Sequence, residues 1–246
     1  MILVGGLDLS KSHYAMVLKN EDTGKVKWYI GWPTPSAVKK WAKQFPDYVF
    51  DDMPKKEKFD SLEHFNMKQG IFLTKIIEKH LFDFIGGSLS NAIISLEGLV
   101  PYGSRTIDLA EVTRPVKEMM YKHGWSIRIH DPQSVKLWAG KGNYKKIDMV
   151  REARKYIDIP EAFCQSKNPD TWMAADIADA YFLRMMLEAE MAVRRDPGEM
   201  NRLNEHQLQV VNRITKSHPV NLLNREFLAK EQPELVRRKR LLRKEK

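Results

Sequence analysis

The first predicted strand of the chain carries a carboxylate where a buried strand is normally apolar. Residues 2–9, ILVGGLDL, form a nearly continuous apolar run, which is typical of a strand covered on both faces of a sheet. Asp8 lies late in this run. An aspartate near a strand end can be a turn or cap residue. In apolar surroundings, however, its charge requires a compensating partner, so Asp8 constrains both the fold and the site.

Strands and helices alternate after this opening in a way that defines the fold class. The segments YAMVLKN (14–20) and KVKWYIGW (25–32) are linked by EDTG, which predicts three antiparallel strands at the start of the chain. NAIISLEGL (91–99) and WSIRIHD (125–131) predict two later strands separated by a helical segment. The chain is therefore predicted to be α/β, with a mixed sheet that is antiparallel over its first three strands, then parallel, and flanked by helices.

The connecting segments are predicted to be helical, with one exception. Helical patterns cover residues 33–45, 67–85 and 104–124, and the last of these contains Pro115, which predicts a kink or a break. Residues 51–66 are charged and aperiodic, and we interpret them as an insertion or a mobile connection. The C-terminal part of the chain shows only helical patterns.

Positive charge is concentrated at the C-terminal end of the sequence. The formal net charge is +9, and the final VRRKRLLRKEK holds seven Lys or Arg against one Glu, so the body of the chain is only mildly basic. Such a tail can contact phosphates or another acidic partner, and it can equally be a solvated, frayed helix end. The candidate phosphate contacts are Arg237, Arg238, Lys239 and Arg240.

Cysteine usage and hydropathy bear on the compartment. The single cysteine, Cys164, excludes an intramolecular disulfide framework and a cysteine metal cluster, and it is interpreted as a small buried apolar residue. No apolar run approaches the roughly 20 residues needed to cross a bilayer. We therefore expect a cytoplasmic protein without a membrane partner.

Three segments carry carboxylates that could converge on one site. Asp8 and Glu97 each lie late in a predicted strand, and they come together if those strands pair. Asp176 and Asp179 lie three residues apart in MAADIADAYFLRMM, so they share a helix face, and their alanine neighbours would let that face approach a sheet. An acidic pair at this spacing can also be a solvated helix face, and Glu97 can simply end its strand.

Convergence of these carboxylates would require a cation. Buried carboxylates repel one another, and a divalent cation compensates their charge. Oxygen ligands favour Mg²⁺, with Mn²⁺ as a substitute, over zinc. Two such ions about 4 Å apart activate water and stabilise the leaving oxygen in phosphodiester hydrolysis. We therefore expect a site with two ions, whose ligands are Asp8, Glu97, Asp176 and Asp179.

Four segments together resemble one known family. GLDLSKSHYAMVL, ISLEG, DPQSVKLWAGKGNYKKIDMVREA and ADIADAYFL occur in the order and with the character of the RuvC-like Holliday junction resolvases of the ribonuclease H-like superfamily. The resemblance covers roughly residues 1–190. It implies that Asp8, Glu97, Asp176 and Asp179 are the metal-binding and catalytic carboxylates, and that Lys146 acts with them.

The third of these segments contains a Gly-rich turn that holds several lysines. Lys146 matches a family lysine that follows a G-x-G turn and Lys136 matches another just before it, which implies that both face the scissile phosphate. A turn with Lys136, Lys141, Lys145 and Lys146 is by itself a candidate phosphate cradle, and a basic surface loop is the other interpretation. Tyr102, in EGLVPYG, is the candidate for the aromatic side chain that the family wedges into the junction.

The resemblance implies a metal-dependent, structure-selective DNA endonuclease that resolves four-way (Holliday) junctions or other branched DNA as a homodimer. Residues 1–195 are expected to form the nuclease domain, and residues 196–246 a helical, basic C-terminal extension. Residues 51–66 and this extension have no counterpart in the family. We therefore expect a phage or mobile-element relative that acts in the host cytoplasm.

Three other functions share parts of this pattern. A transposase or recombinase of the related DEDD type begins with a similar strand, but it would carry a large additional domain. A sugar kinase or other actin-like ATPase would show a second Gly-rich phosphate segment and a longer chain. A non-catalytic branched-DNA-binding protein would tolerate the loss of carboxylates, whereas all four are present here.

The remaining polar residues of interest have simpler interpretations. His13, His123 and His130 could be ligands, but surface or capping positions are favoured for them. Asp131 is interpreted as a turn residue before Pro132. None of these residues is included in the candidate site.

Overall fold

The computed structural model describes residues 2–32, 35–86, 92–98, 104–164, 166–169 and 172–218, without the side chains of residues 35–38, 104 and 105. The candidate DNA contacts Tyr102, Arg237, Arg238, Lys239 and Arg240 lie outside the described residues. No described helix is both long enough and apolar enough to cross a membrane.

The elements follow one another as β1 (Leu3–Leu9), β2 (Tyr14–Asn20), β3 (Val26–Trp32), α1 (Pro35–Gln44), β4 (Tyr48–Asp52), α2 (Leu62–Ile85), β5 (Ala92–Glu97), α3 (Ser104–Lys122), β6 (Ser126–His130), α4 (Pro132–Ala139), α5 (Lys146–Ala153), α6 (Met173–Arg195) and α7 (Glu205–Ser217).

The strands form a mixed sheet in the order β4-β3-β2-β1-β5-β6. β1 is antiparallel to β2, and β2 is antiparallel to β3. On the other side of β1, β5 pairs with it in parallel, and β6 pairs with β5 in parallel. These directions confirm the predicted α/β architecture. The parallel strand β4, next to β3, was not predicted.

The prediction that residues 51–66 form an insertion or a mobile connection is wrong at both ends of the segment. Asp51 and Asp52 complete the edge strand β4. At the other end, the Ser61 side chain accepts a hydrogen bond from the backbone N–H of His64 at 3.0 Å and caps the start of α2. The strand escaped detection because an edge strand can carry charged side chains and need not show a clear apolar pattern.

Helix α3 does not break at Pro115. The proline ring lies where α2 comes close at Gly70: a Cβ atom added to Gly70 would lie 3.2 Å from Pro115 Cγ and 3.3 Å from the Val112 carbonyl oxygen. The tertiary contact between α2 and α3 stabilises the helix on both sides of the proline, although Pro115 itself donates no hydrogen bond.

Helices cover both faces of the sheet, as the apolar character of β1 predicts. Leu3 and Leu7 of β1 pack with α2 and α3 on one face. The other face is covered mainly by α6, whose buried apolar residues join those of α4 and α5 in one core. Val210 and Ile214 of α7 belong to the same core. The boundary between residues 195 and 196 stays a prediction.

A buried ion-pair network holds the end of α7 beside the edge strand β6. Glu190 of α6 accepts hydrogen bonds from Arg128 Nη2 at 2.5 Å and from Arg194 Nε at 2.7 Å. Arg194 Nη2 also donates to the His218 carbonyl oxygen at 2.6 Å. The His218 ring lies against the strand, with Nε2 3.2 Å from the Ile129 carbonyl oxygen. The network thereby joins β6, α6 and α7.

His130 is buried beside this network, so its prediction as a surface or capping residue is wrong. Burial, together with the positive charge of Arg128, lowers the pKa of His130 to about 3. An unfolded histidine has a pKa of about 6.5. The unfolded chain therefore binds a proton that the folded chain does not bind as the pH falls below about 6.5. This contribution to stability is present above that pH and is lost on acidification.

We expect acidification from pH 7 to pH 5 to lower the free energy of unfolding by about 2 kcal/mol through His130 alone. His130→Gln cannot take up the proton and should lack this part of the pH dependence. His206→Gln, at an exposed position of α7, is the control and should keep it. Urea unfolding at the two pH values measures the difference. Identical pH dependence in His130→Gln and the wild type would contradict the prediction.

Candidate metal centre

The parallel pairing of β1 and β5 brings Asp8 and Glu97 to one edge of the sheet. Leu7 lies opposite Leu96, so the two carboxylate residues follow side by side where the strands end. Asp8 is buried. Glu97 is half-buried at the wall of a cleft. The strand pairing that the sequence analysis required is therefore present.

Helix α6 places Asp176 and Asp179 against the same edge. Both aspartates are buried. The helix crosses β1 at Gly6, where an added Cβ atom would overlap the Ala180 carbonyl oxygen. Asp8 lies close enough to Asp176, Asp179 and Glu97 to interact with all three electrostatically. The structure thus brings the four predicted carboxylates together from β1, β5 and α6.

Lys146, the first residue of α5, lies among these carboxylates. Its Nζ atom donates a hydrogen bond to Asp179 Oδ2 at 2.6 Å and lies 3.8 Å from Asp176 Oδ1. The helix begins here because the backbone N–H of Lys145 donates to the Asp148 side chain at 3.1 Å, which is one half of a capping box. The turn between α4 and α5 therefore delivers Lys146 to the carboxylates.

Burial is the largest influence on the pKa values of the carboxylates at this site, and it favours their neutral form. Burial raises the pKa of Asp8 well above its usual range, and Lys146 only partly opposes this. Burial, and then the charge of Asp179, raise the pKa of Glu97 to about 7. The pKa of Asp179 is raised by burial as well. Burial acts to lower the pKa of Lys146, but the charges of Asp179, Asp8 and Asp176 outweigh it and raise that pKa.

A cleft of about 320 Å³ opens beside these residues. Lys141 and Lys145 are exposed on the turn between α4 and α5 and do not belong to the described lining of the cleft. Of the four lysines of this segment, Lys136 and Lys146 therefore line the cleft, whereas Lys141 and Lys145 lie on the outer surface. The charged residues of the lining are Glu97, Lys136, Lys146 and Asp179.

His13 is a residue of this site that the sequence analysis missed. Its Nδ1 atom lies 2.6 Å from Asp176 Oδ2, and its ring packs on Trp32 with the ring centroids 4.9 Å apart. The prediction of a surface or capping position is therefore wrong for His13. The signal was its place in LSKSH, directly after Asp8, but the sequence does not show that α6 passes over this turn. His123, by contrast, is exposed as predicted.

The donor set fits a hard divalent cation in ligand type and in charge. Four carboxylates outnumber the two lysines of the cleft, and carboxylate oxygen is the ligand that Mg²⁺ prefers. In the part of the chain that is described, no three His, Cys, Asp or Glu side chains surround a point where an ion could bind. The Lys146 ammonium lies at the carboxylates instead. An ion shared by these side chains would have to displace it from Asp179.

Comparison with known proteins gives weak likenesses in structure. No family model matches the chain, and no curated protein sequence matches it. A structure of Thermus thermophilus RuvC is similar at 13% identity and a TM-score of 0.43, covering 75% of this chain and 96% of that chain. A structure of T. thermophilus RuvC in complex with a Holliday junction substrate is similar at 10% identity and a TM-score of 0.44, covering 75% and 91%.

The contacts of Lys146 predict that this residue contributes to the stability of the protein when no metal is added. Lys146→Met removes the ammonium and with it the hydrogen bond to Asp179. We expect the free energy of unfolding in EDTA to fall by about 2 kcal/mol, less than for a fully buried pair because the lysine side chain is 30% exposed. A second change, Asp179→Asn, should recover part of this loss.

Urea unfolding of the two variants and of the exposed-site control Lys141→Met tests this expectation. The control should unfold like the wild type, because Lys141 is exposed on the turn. Wild-type stability of Lys146→Met in EDTA would show that the ammonium does not balance the carboxylates.

Proposed function

We propose that the protein is a metal-dependent, structure-selective endonuclease that resolves four-way junctions or other branched DNA by phosphodiester hydrolysis. The observation that carries the proposal is the convergence of four carboxylates from β1, β5 and α6 around Lys146. A buried group of carboxylates is unfavourable unless cations compensate its charge. The group lies at the strand ends, beside an open cleft that contains two lysines.

Mg²⁺ is the proposed cofactor, as two ions per site, with Mn²⁺ as a substitute. Bound ions of this kind activate water and stabilise the leaving oxygen of a phosphodiester. The residues that would hold them are Asp8, Glu97, Asp176 and Asp179.

Lys146 is proposed to leave Asp179 and to donate to the scissile phosphate. There its positive charge would stabilise the negative charge that grows in the transition state. Lys136 lines the same cleft and is proposed as a second phosphate contact. The exposed Lys141 and Lys145 would contact phosphates farther from the cut.

The proposed partner is a DNA junction bound by a homodimer, since two active sites are needed to cut opposed strands. This assignment rests on the resemblance of the four sequence segments. Tyr102 is proposed as the aromatic wedge. A phage or mobile-element origin, and action in the host cytoplasm, are part of the same proposal. Phosphate contacts are proposed for Arg237, Arg238, Lys239 and Arg240.

Replacement of a single carboxylate by its amide tests the proposed chemistry. Asp8→Asn, Glu97→Gln and Asp179→Asn should each abolish Mg²⁺-dependent cutting of a labelled four-way junction and leave junction binding largely intact, because phosphate contacts remain. EDTA should stop the wild-type reaction, and Mg²⁺ or Mn²⁺ should restore it.

The matched control is Asp83→Asn, which changes an exposed aspartate of α2 and should cut normally. A linear duplex of the same sequence measures selectivity for the junction. Full activity in one of the amide variants would remove that residue from the site. If the wild type cut neither substrate in Mg²⁺ or Mn²⁺, the proposed function would be refuted.

Deletion of residues 237–246 tests the role of the basic tail. If the tail only neutralises phosphates, binding to junction and to linear duplex should weaken alike, because counterion release does not depend on the shape of the DNA. The slope of log affinity against log salt should fall by a few units, bounded by roughly 0.9 for each engaged cation. Loss of junction preference with unchanged duplex binding would instead assign structure recognition to the tail.

A further inference from the structure

The turn between β1 and β2, residues 10–13, is held by its own hydrogen bonds. The Ser10 hydroxyl donates to the His13 carbonyl oxygen at 2.9 Å and accepts from the His13 backbone N–H at 3.1 Å. The backbone N–H of Ser10 donates to the same carbonyl oxygen at 3.0 Å. Lys11, in the middle of the turn, forms an ion pair with Asp108 of α3. The turn is thereby joined to a neighbouring helix as well as to both of its strands.

The His13 ring is restrained a second time by Trp32, at the end of β3. The two rings are tilted by 30°, with their centroids 4.9 Å apart. The His13 side chain is only 21% exposed. Backbone and ring are both restrained, so the imidazole presents Nδ1 in a defined direction.

Asp176 divides its two oxygens between two partners. Oδ2 lies 2.6 Å from His13 Nδ1, whereas Oδ1 lies 3.8 Å from Lys146 Nζ. Oδ2 and Nδ1 are both buried, and neither atom makes a hydrogen bond within the described residues, so the short contact between them is the polar contact that each of them has. Two lone pairs would repel each other at this distance, so the contact is attractive only when Nδ1 carries a proton.

We propose that His13 is a positioning residue that fixes the side-chain rotamer of Asp176, so that Oδ1 alone faces the other carboxylates. The inference rests on the proposed function, because it assigns one oxygen of Asp176, and not both, to a bound metal ion. Groups that hydrogen-bond to a metal ligand orient it, and their loss typically weakens metal affinity about 10–100-fold. His13 acts only through Asp176.

Mn²⁺ binding to the full-length protein, measured by electron paramagnetic resonance, tests the inference. His13→Ala should weaken Mn²⁺ affinity about tenfold or more. His13→Asn should restore most of the affinity, because its amide nitrogen can donate from about the position of Nδ1. His13→Gln should not, because its amide reaches the position of Nε2 instead.

The matched control is His123→Ala, which removes another contact between a histidine and a carboxylate. His123 directly follows α3, and its Nε2 atom lies 2.5 Å from Oε1 of Glu78, which belongs to α2. This variant should bind Mn²⁺ like the wild type. Unchanged affinity in His13→Ala, with a wild type that binds Mn²⁺, would overturn the inference and leave the proposed function standing.

A second measurement in EDTA separates the two proposals. If His13 holds Asp176, urea unfolding of His13→Ala, Asp176→Ala and the double variant should show coupling, with the double variant less destabilised than the sum of the single variants. Additive effects would overturn the inference. If the wild type binds no Mn²⁺, the proposed function fails, and the coupling in EDTA alone decides whether His13 holds Asp176.

Discussion

The close contact of α6 with β1 at Gly6 is the constraint on which the rest of the site depends. Any side chain at this position would overlap backbone atoms of Ala180 and Arg184, and backbone atoms of a packed helix cannot move aside as a flexible side chain can. Asp8 lies two residues beyond Gly6, on the same face of the strand. Asp179 directly precedes Ala180. The contact that buries α6 is therefore also the contact that brings the carboxylates together.

This packing places carboxylates close together and away from water, and the fold compensates their negative charge only in part. Removal from water raises the pKa values of Asp8 and Glu97, and the neighbouring carboxylates raise them further. Lys146 offsets part of the negative charge through its hydrogen bond to Asp179. A site rich in buried carboxylates is poorly explained by stability alone, so the remaining excess of carboxylates supports the proposal of a cation-dependent reaction.

Some features of the fold were readable from short stretches of sequence, and others were not. The apolar run of β1 predicted a strand covered on both faces, and the spacing of Asp176 and Asp179 predicted a common helix face, because both patterns follow from the geometry of one element. The edge strand β4 was missed, since an exposed edge need not carry an apolar pattern. His13 and His130 were misplaced because their burial depends on α6 and on the network around Arg128, which lie far away in sequence.

By itself, the sequence determined five of the six strands of the sheet and the carboxylates of the site. Hydrophobic periodicity and local capping act over a few residues, so they can be recognised without the fold. Only the tertiary structure decided which of the predicted groups meet. It set Lys146 against Asp179, turned Lys141 and Lys145 to the surface, and placed His13 on Asp176. These contacts join segments more than 30 residues apart, and they arise because α6 packs on β1 and the turn before α5 returns to the strand ends.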